Sequence, residues 1–587
     1  MRDVMRHRGP DGAGVWGCGH VVLAHRRLAV IDPTPAGAQP MVTPDGRYAI
    51  AYNGELYNDA EVRAELEGEG VRFGTQADTE TVLWALATWG AAGLGRLRGM
   101  YALGFCDVAT GQVLLARDPL GIKPLYYAVV RVGGGEELVF ASEPRAILAH
   151  PRMSARPDLA GISAYLTTIR TVMGSRTLFE GVRVLRPGQV LELDLSGAMV
   201  GIRSSEVRAD RVADGGACTG DGAADRVRAC IEDSVGRHLR SDVPICCLLS
   251  GGLDSSIIAT LAMRRLGGLH TYCSGAPGSS DGDDFAFARN VAGALGTAHT
   301  EAPVSRALFK ERWQDMVRAL GIPLSTPNEV AINEVARTLR GQGKIVTLSG
   351  EGADELFGGY ESPMLEAAAF EGVPGGERRR GGQHPGEFQL EANSWIPREA
   401  KGAVLAPEVW KAFEGDAALR AFYRDEFDAV GDGAEGEPIE RVQAHLRFHR
   451  RINLAGLLQR LDTATMLAGV EGRTPFADAA VCGLAEGLRM EEKFVPGGVG
   501  ACETKRVLRR AFAANLPRDV VARKKESFPL PFQEWVADQA GVLRSSALAR
   551  EIFTEAAIES VAADAGRLWR LSWPMVNVAM WGRVWWG

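Results

Sequence analysis

The chain predicts an α+β domain built on antiparallel sheets, followed by an α/β domain built on a parallel sheet. Three observations carry that expectation. The runs VVLAHRRLAVID, GRYAIAYNGELYN, GMYALGFCDVATGQVLLARD and ELVFASE are β-rich and punctuated by Gly, Asn and Asp, the signature of strands and tight turns. One helix interrupts them, about Asp78 to Gly90, so the first part reads as a layered α+β unit. Further on, the apolar run VPICCLLS ends in Gly-Gly before a helical stretch, and a second apolar strand, KIVTLSGEGAD, follows later. Strand, glycine turn and helix in alternation predict a parallel sheet. Between the two lies a stretch rich in Gly, Ala and Asp without periodicity, residues 204–225, which reads as a linker. The expected division is residues 1–203, the linker 204–225, and residues 226–587. ADRVRACIEDSVGRHL opens the second domain as an amphipathic helix. From about Glu361 the chain reads as mostly helical, with FEGVPGGERRRGGQHPGEF as a mobile surface insertion.

Composition narrows the function classes. The 587 residues are 46% hydrophobic and 24% charged, ordinary for a globular chain with more than one core. A net charge of -7 points to no nucleic-acid or anionic-membrane partner. No run approaches the ~18 apolar residues of a membrane span, and the start MRDVMRHRGPDG holds no signal-peptide core. The nine cysteines have neither zinc-ligand nor disulfide-framework spacing, so a reducing, cytoplasmic location is expected.

SGGLDSS, Ser250 to Ser256, is the most informative segment. It follows an apolar strand and opens a helix. Its glycines allow a sharp turn and close approach of amide groups to an oxyanion, and the helix N-terminus favours phosphate. Asp254 would repel phosphate unless it holds Mg²⁺. The plainer reading is a Gly-Gly turn capped by serine. LSGEGADELFGGY, Leu348 to Tyr360, ends the second strand and crowds Glu351, Asp354 and Glu355 together. Strand ends of an open parallel sheet share one crevice, so metal binding by one carboxylate and acid–base work by another outweigh a merely solvated acidic turn. RKKESF, Arg523 to Phe528, is basic and bounded by prolines. It offers lysine as a counter-ion to departing pyrophosphate.

Together with LDTATMLAGVEGRTPFAD and RKKESFPLPFQEW, these segments resemble the asparagine synthetase family. The first half is similar to that family's glutaminase domain: HRGPDGAGVW, AHRRLAVID, GAQPM, YNGELYN, TQADTE, GMYALGF and ARDPLGIKPLYY stand in the family's order. The resemblance implies an N-terminal nucleophile hydrolase-type glutaminase, an antiparallel sheet sandwich, joined to a PP-loop ATP pyrophosphatase-type synthetase. It implies that aspartate becomes asparagine through a β-aspartyl-AMP intermediate, with ATP and Mg²⁺ as cofactors. It implies Leu248 and Ser274 near the adenosine and Ser349 and Gly350 beneath the nucleotide. Ser250, Gly251, Gly252, Ser255 and Ser256 would cradle pyrophosphate, and Asp254 and Asp354 would hold Mg²⁺. Glu351 would be the base for the incoming amine and Lys525 the charge stabiliser. In the glutaminase half, Arg27 would pair with the glutamine α-carboxylate, Asp78 with its α-ammonium, and Asn53 with Gly54 would form the oxyanion hole, beside Glu55. Taken alone, Asn53-Gly54 reads as a hairpin turn. A homodimer and an ammonia passage are further implications.

One departure stands out. The family's glutaminase uses an N-terminal cysteine whose own amine can serve as base, whereas this chain starts Met1-Arg2 and its first cysteine is Cys18. The nucleophile and the first core strand are both absent, so this chain is expected to use ammonia rather than glutamine. Either a complete protein starts upstream with Met-Cys-Gly, or glutaminase activity is lost. The retained glutamine-binding residues favour the former, as does the sheet edge that omission would expose. Two other readings remain: amidation of a different carboxylate, and an inactive regulatory homologue.

Overall fold

The computed structural model describes residues 1–195, 200–208, 219–277, 284–373, 382–431, 437–497, 501–524 and 530–587. In the first half, β1 (Gly12–Cys18) and β2 (Val21–Arg27) form a hairpin. β3 (Met41–Val42), β4 (Tyr48–Leu56), β5 (Gly99–Asp107) and β6 (Gln112–Arg117) build an antiparallel sheet. β7 (Tyr126–Val132), β8 (Gly135–Ala141) and β9 (Arg183–Val184) form a separate three-stranded sheet. β10 (Gln189–Asp194) and β11 (Gly201–Glu206) extend the first to six strands, in the order β11-β10-β6-β5-β4-β3.

Alternation along the strands explains the layers. Ile50, Tyr52, Tyr101 and Leu103 point to one face and pack on Val82, Leu83 and Leu86 of helix α1 (Asp78–Trp89). Ala102, Cys106, Leu115 and Leu191 point to the other face, where Trp16 and Val21 of the hairpin and Leu138 and Phe140 of β8 cover them. The result is a two-layered sheet sandwich with helices outside it, as the alternating sequence predicts.

In the second half, β12 (Ile245–Leu248), β13 (His270–Gly275), β14 (Ala298–Pro303), β15 (Val346–Leu348) and β16 (Glu471–Arg473) form a wholly parallel sheet in the order β14-β13-β12-β15-β16. Helices α2 (Gly220–His238), α3 (Leu253–Leu266) and α4 (Asn328–Gly341) belong to this half. Ile231 of α2 and Ile257 and Ile258 of α3 pack with Cys247 of β12 in one core, while Val335 and Leu339 of α4 pack with Cys246 and Tyr272 in another. Neighbouring residues Cys246 and Cys247 thus face opposite layers, as the two-sided burial of a parallel strand requires. Most of the rest is helical.

Two expectations need adjustment. The stretch read as a linker is shorter than 204–225: β11 continues through Glu206 and α2 begins at Gly220. Ser204 to Glu206 pair with Gln189 to Leu191, a register that polar, non-alternating residues do not advertise. The stretch FEGVPGGERRRGGQHPGEF is helical at its end, because Pro385 starts the helix Pro385–Ala392; residues 374–381 of it lie outside the described residues.

Candidate active sites

The geometry of the larger site begins with strand order. β12 and β15 are immediate neighbours, with Cys247 opposite Leu348. Ser250–Ser256 and Ser349–Asp354 therefore leave the sheet side by side, at the carboxyl ends of its strands. They touch directly. A Cβ placed on Gly350 would stand 2.9 Å from the Asp254 Cβ and 3.0 Å from the Ser255 nitrogen, so only glycine lets the two turns close. Gly251 has φ +70°, and a Cβ there would lie 2.5 Å from the Phe287 carbonyl carbon, so glycine is needed for both reasons.

The first turn is stitched internally: Ser250 Oγ lies 3.1 Å from Ser255 Oγ, and the Ser250 amide donates to Ser255 Oγ at 3.2 Å. Between the turns lies a cavity of about 190 Å³. Leu248, Ser250, Gly252, Asp254, Ser255, Ser274, Ser349, Gly350, Glu351 and Asp354 all line it. Sequence reasoning thus named these ten of the cavity's lining residues. Gly251 shapes the turn without lining the cavity, and Ser256 is fully buried in α3. Ser274 reaches the cavity wall with its hydroxyl donated to the Ala302 carbonyl at 2.8 Å. Lys525 lies outside the described residues.

Three cations here were not singled out from the sequence. Lys505 Nζ lies 2.6 Å from both Asp254 Oδ2 and Asp354 Oδ1. Arg460 donates to Glu351 Oε1 at 2.7 Å and to Thr326 Oγ1 at 3.2 Å. Arg523 donates to the Ser250 carbonyl at 3.1 Å and to Asp284 at 2.7 Å. Lys505 comes from ETKRVLRRAF, which reads as an ordinary basic helix start; its φ of +50°, the feature that aims it inward, leaves no mark in the sequence. Glu355 is different from its acidic neighbours. Burial, with the charges of Asp354 and Glu351 added, pushes its carboxyl up to about 7, and the Tyr360 hydroxyl donates to it at 2.5 Å.

The second site is a cavity of about 130 Å³ in the first half. Arg27, Asn53, Gly54, Glu55 and Asp78 all line it. Asn53 and Gly54 sit in mid-strand of β4, paired with Ala102 and Tyr101, so the hairpin-turn reading is overturned by a nine-residue strand. The Asn53 Nδ2 is buried and has no partner among the described residues, as an oxyanion donor awaiting its ligand would. Asp78 accepts from the Leu56 amide at 2.9 Å, and burial pushes its carboxyl up to about 6. Arg27 donates to the carbonyls of Thr34 at 2.8 Å, Ile31 at 3.0 Å and Asp32. Glu55 faces the second half, 2.9 Å from Arg473. The cavity lies between the edges of β2 (Ala24, Arg26) and β8 (Phe140, Ala141), above β5. Among the described strands β2 pairs only with β1, and β8 only with β7. No cysteine is among the described lining residues.

These features define a two-centre protein: a glycine–serine turn with convergent carboxylates at the end of a parallel sheet, and a polar cleft in an antiparallel sandwich. Residues 1–201 match a glutamine amidotransferase domain, and residues 226–583 match asparagine synthase. The chain belongs to the asparagine synthase family. It is 30% identical to asparagine synthetase [glutamine-hydrolyzing] 3 of Bacillus subtilis, over 90% of this chain and 83% of that protein. It is 34% identical to a putative asparagine synthetase [glutamine-hydrolyzing] of Mycobacterium tuberculosis, over 91% and 84%. Asparagine synthetase B [glutamine-hydrolyzing] of Escherichia coli is 28% identical, over 89% and 77%.

Proposed function

We infer that this chain is an ATP-dependent carbon–nitrogen ligase of the glutamine amidotransferase class, converting aspartate to asparagine. The observation that supports this best is the contact between the Ser250–Ser256 turn and the Glu351–Asp354 turn across neighbouring strands. Residues 1–203 would release nitrogen from glutamine, residues 226–587 would form the amide, and residues 204–225 would join them.

The chemistry follows from the groups in place. A carboxylate is a poor electrophile. One of its oxygens attacks the α-phosphorus of ATP, the bond to pyrophosphate breaks, and an acyl-adenylate forms. Amides of the Ser250–Gly252 turn and the hydroxyls of Ser250 and Ser255 receive the departing pyrophosphate. Asp254 and Asp354 would hold Mg²⁺. Their oxygens already converge on one point, now occupied by the Lys505 ammonium, and two carboxylates suit a hard cation whose other ligands are phosphate oxygens and water. Among the described residues no group of three or more acidic, His or Cys side chains encloses a metal alone. When bound there, the metal would supply charge neutralisation. Ammonia then attacks the acyl carbon, Glu351 takes a proton from the amine, and AMP leaves. Arg460 holds Glu351 in place, and Glu355, with its carboxyl at about 7, limits the negative charge around it.

In the glutaminase cleft, Arg27 and Asp78 would hold the α-carboxylate and α-ammonium of glutamine, and Asn53 Nδ2 and the Gly54 amide would receive the oxyanion. The nitrogen would come from glutamine through this cleft or from free ammonia, and a cytoplasmic dimer is in keeping with the family.

The test is pyrophosphate and AMP release by this chain with ATP, Mg²⁺, ammonium and a panel of carboxylic acids. Aspartate should give asparagine. Preference for another acid would reassign the acceptor. Absence of pyrophosphate–ATP exchange with every acid would make the chain an inactive homologue.

A further inference from the structure

A third cavity, about 960 Å³, belongs to neither site. It shares no lining residue with either of them and lies where β10 and β11 of the first half meet the helices around residues 417–456 of the second. Its volume is at the upper end of small-molecule sites.

Its walls carry a consistent charge pattern. Seven arginines and three carboxylates line it; five of the guanidinium groups, those of Arg170, Arg186, Arg447, Arg450 and Arg451, stand with two of the carboxylates, Glu426 and Glu486. Each of these two carboxylates is held by two arginines. Glu426 pairs with Arg186 at 2.5 Å and with Arg451; Glu486 pairs with Arg447 at 2.8 Å and Arg450 at 2.9 Å. The fifth, Arg170, donates among the described residues to neutral groups, Tyr423 Oη at 3.0 Å and Asn453 Oδ1. The remaining charged pair, Arg208 with Glu206 at 3.8 Å, cancels. Arg117 is committed to three backbone carbonyls. The excess is positive, inside a concave space where fields are focused rather than screened.

The backbone is arranged for this. Arg450–Leu454 is a π-helical turn set between two α-helices, a local widening that occurs often at functional sites. It brings Arg450 and Arg451 to the same cavity. Lys493 is also buried, and its amine is pushed down to about 7, chiefly by burial, with Glu486 opposing the shift and Arg447 and Arg450 adding to it.

We propose that this cavity is a second anion site that binds a polyphosphate chain, free or carried by a nucleotide. Guanidinium forks match phosphate oxygens two at a time, and several in one cleft favour a ligand with several charges. Phe422, on the same wall, offers a ring face for a base. The site has a route to the chemistry. The π-turn runs directly into the helix Ala455–Met466, in which Gln459 lines this cavity and Arg460, the next residue, holds Glu351.

Calorimetric titration of the full chain with inorganic tripolyphosphate, at fixed low ionic strength, tests the proposal. The wild type should show a class of sites beyond the Ser250–Ser256 turn. Arg451→Gln should weaken that class about tenfold, the loss of one charge-assisted contact. That substitution also removes a partner of Glu426, so Ser205→Glu provides an independent variant. Ser205 is exposed on β11 and lines the cavity; a carboxylate there should abolish the second class while leaving amide formation from ammonium unchanged. Guanosine triphosphate repeats the titration. Tighter binding than tripolyphosphate adds the Phe422 contact, equal binding assigns the phosphate chain alone, and both support the site. Wild-type isotherms in both variants would overturn it.

Discussion

Lys505 is the residue on which the ligase site turns. Its ammonium is shared between Asp254 and Asp354, and without it two part-buried carboxylates face each other. We expect Lys505→Ala to slow adenylate formation about a hundredfold, measured as pre-steady-state pyrophosphate release, with a smaller loss of ATP affinity. A loss confined to ATP affinity would make Lys505 a structural counter-ion only. Asp254→Ala should abolish pyrophosphate release, and unchanged release would remove Asp254 from the metal site. Asp78 gives a pH signature in the other cleft. Its carboxyl titrates at about 6, above its ordinary value of 3.8, because burial disfavours the charge. The folded protein therefore holds that proton up to about pH 6. Only the ionised form attracts an ammonium, so glutamine affinity should rise with pH through about 6 and level off above it. An affinity flat between pH 5 and pH 7 would take Asp78 out of contact with the ligand; isothermal titration reads either result.

At the scale of elements, the two signature turns were legible because each combines an apolar strand with a glycine turn, and register then forces them together. Gly251 and Gly350 show why glycine is specified there. Gly251→Ala must move Phe287 and hold a residue at φ +70°, which costs about 1–3 kcal/mol. It should lower the thermal midpoint and weaken ATP binding together; an unchanged midpoint would mean the turn relaxes freely. Asn53-Gly54 was harder to place. The dipeptide is the strongest short hairpin signal, and only pairing across β5, a long-range fact, makes it mid-strand. Arg460, Arg523 and Lys505 were likewise illegible as site residues: each is a basic residue in a helix or at its end, and no periodicity tells an inward cation from a solvated one. The arginine cavity is invisible for the same reason, since its wall is drawn from segments scattered between residues 117 and 486.

The two halves are bound by more than a linker. Asp462, from the second half, is 2% exposed and lies 2.6 Å from Arg8 and 3.0 Å from Lys123, both from the first. Arg98 reaches Asp478 at 3.0 Å, and Arg473 joins Glu55 to Glu471. Apolar cores also cross the boundary, with Tyr57, Met100 and Ile122 packed among residues of the parallel-sheet half. Separating the halves would break these ion pairs and expose shared apolar core to water. The whole chain should therefore unfold in one calorimetric transition rather than two. Removing one partner of a buried pair costs about 3–5 kcal/mol, so Asp462→Leu, which leaves Arg8 and Lys123 facing an apolar side chain, should lower that single transition without splitting it. The pH dependence has a definite sign. Burial alone would raise the Asp462 carboxyl, but Arg8 and Lys123 more than offset it and hold it below 3.8. Its stabilising contribution is present above the unfolded value and lost as pH falls through the lower folded one. The wild type should lose its advantage over Asp462→Leu only below about pH 4. Two resolved transitions in the wild type at neutral pH would show instead that each half is stable alone and that these ion pairs merely decorate the contact.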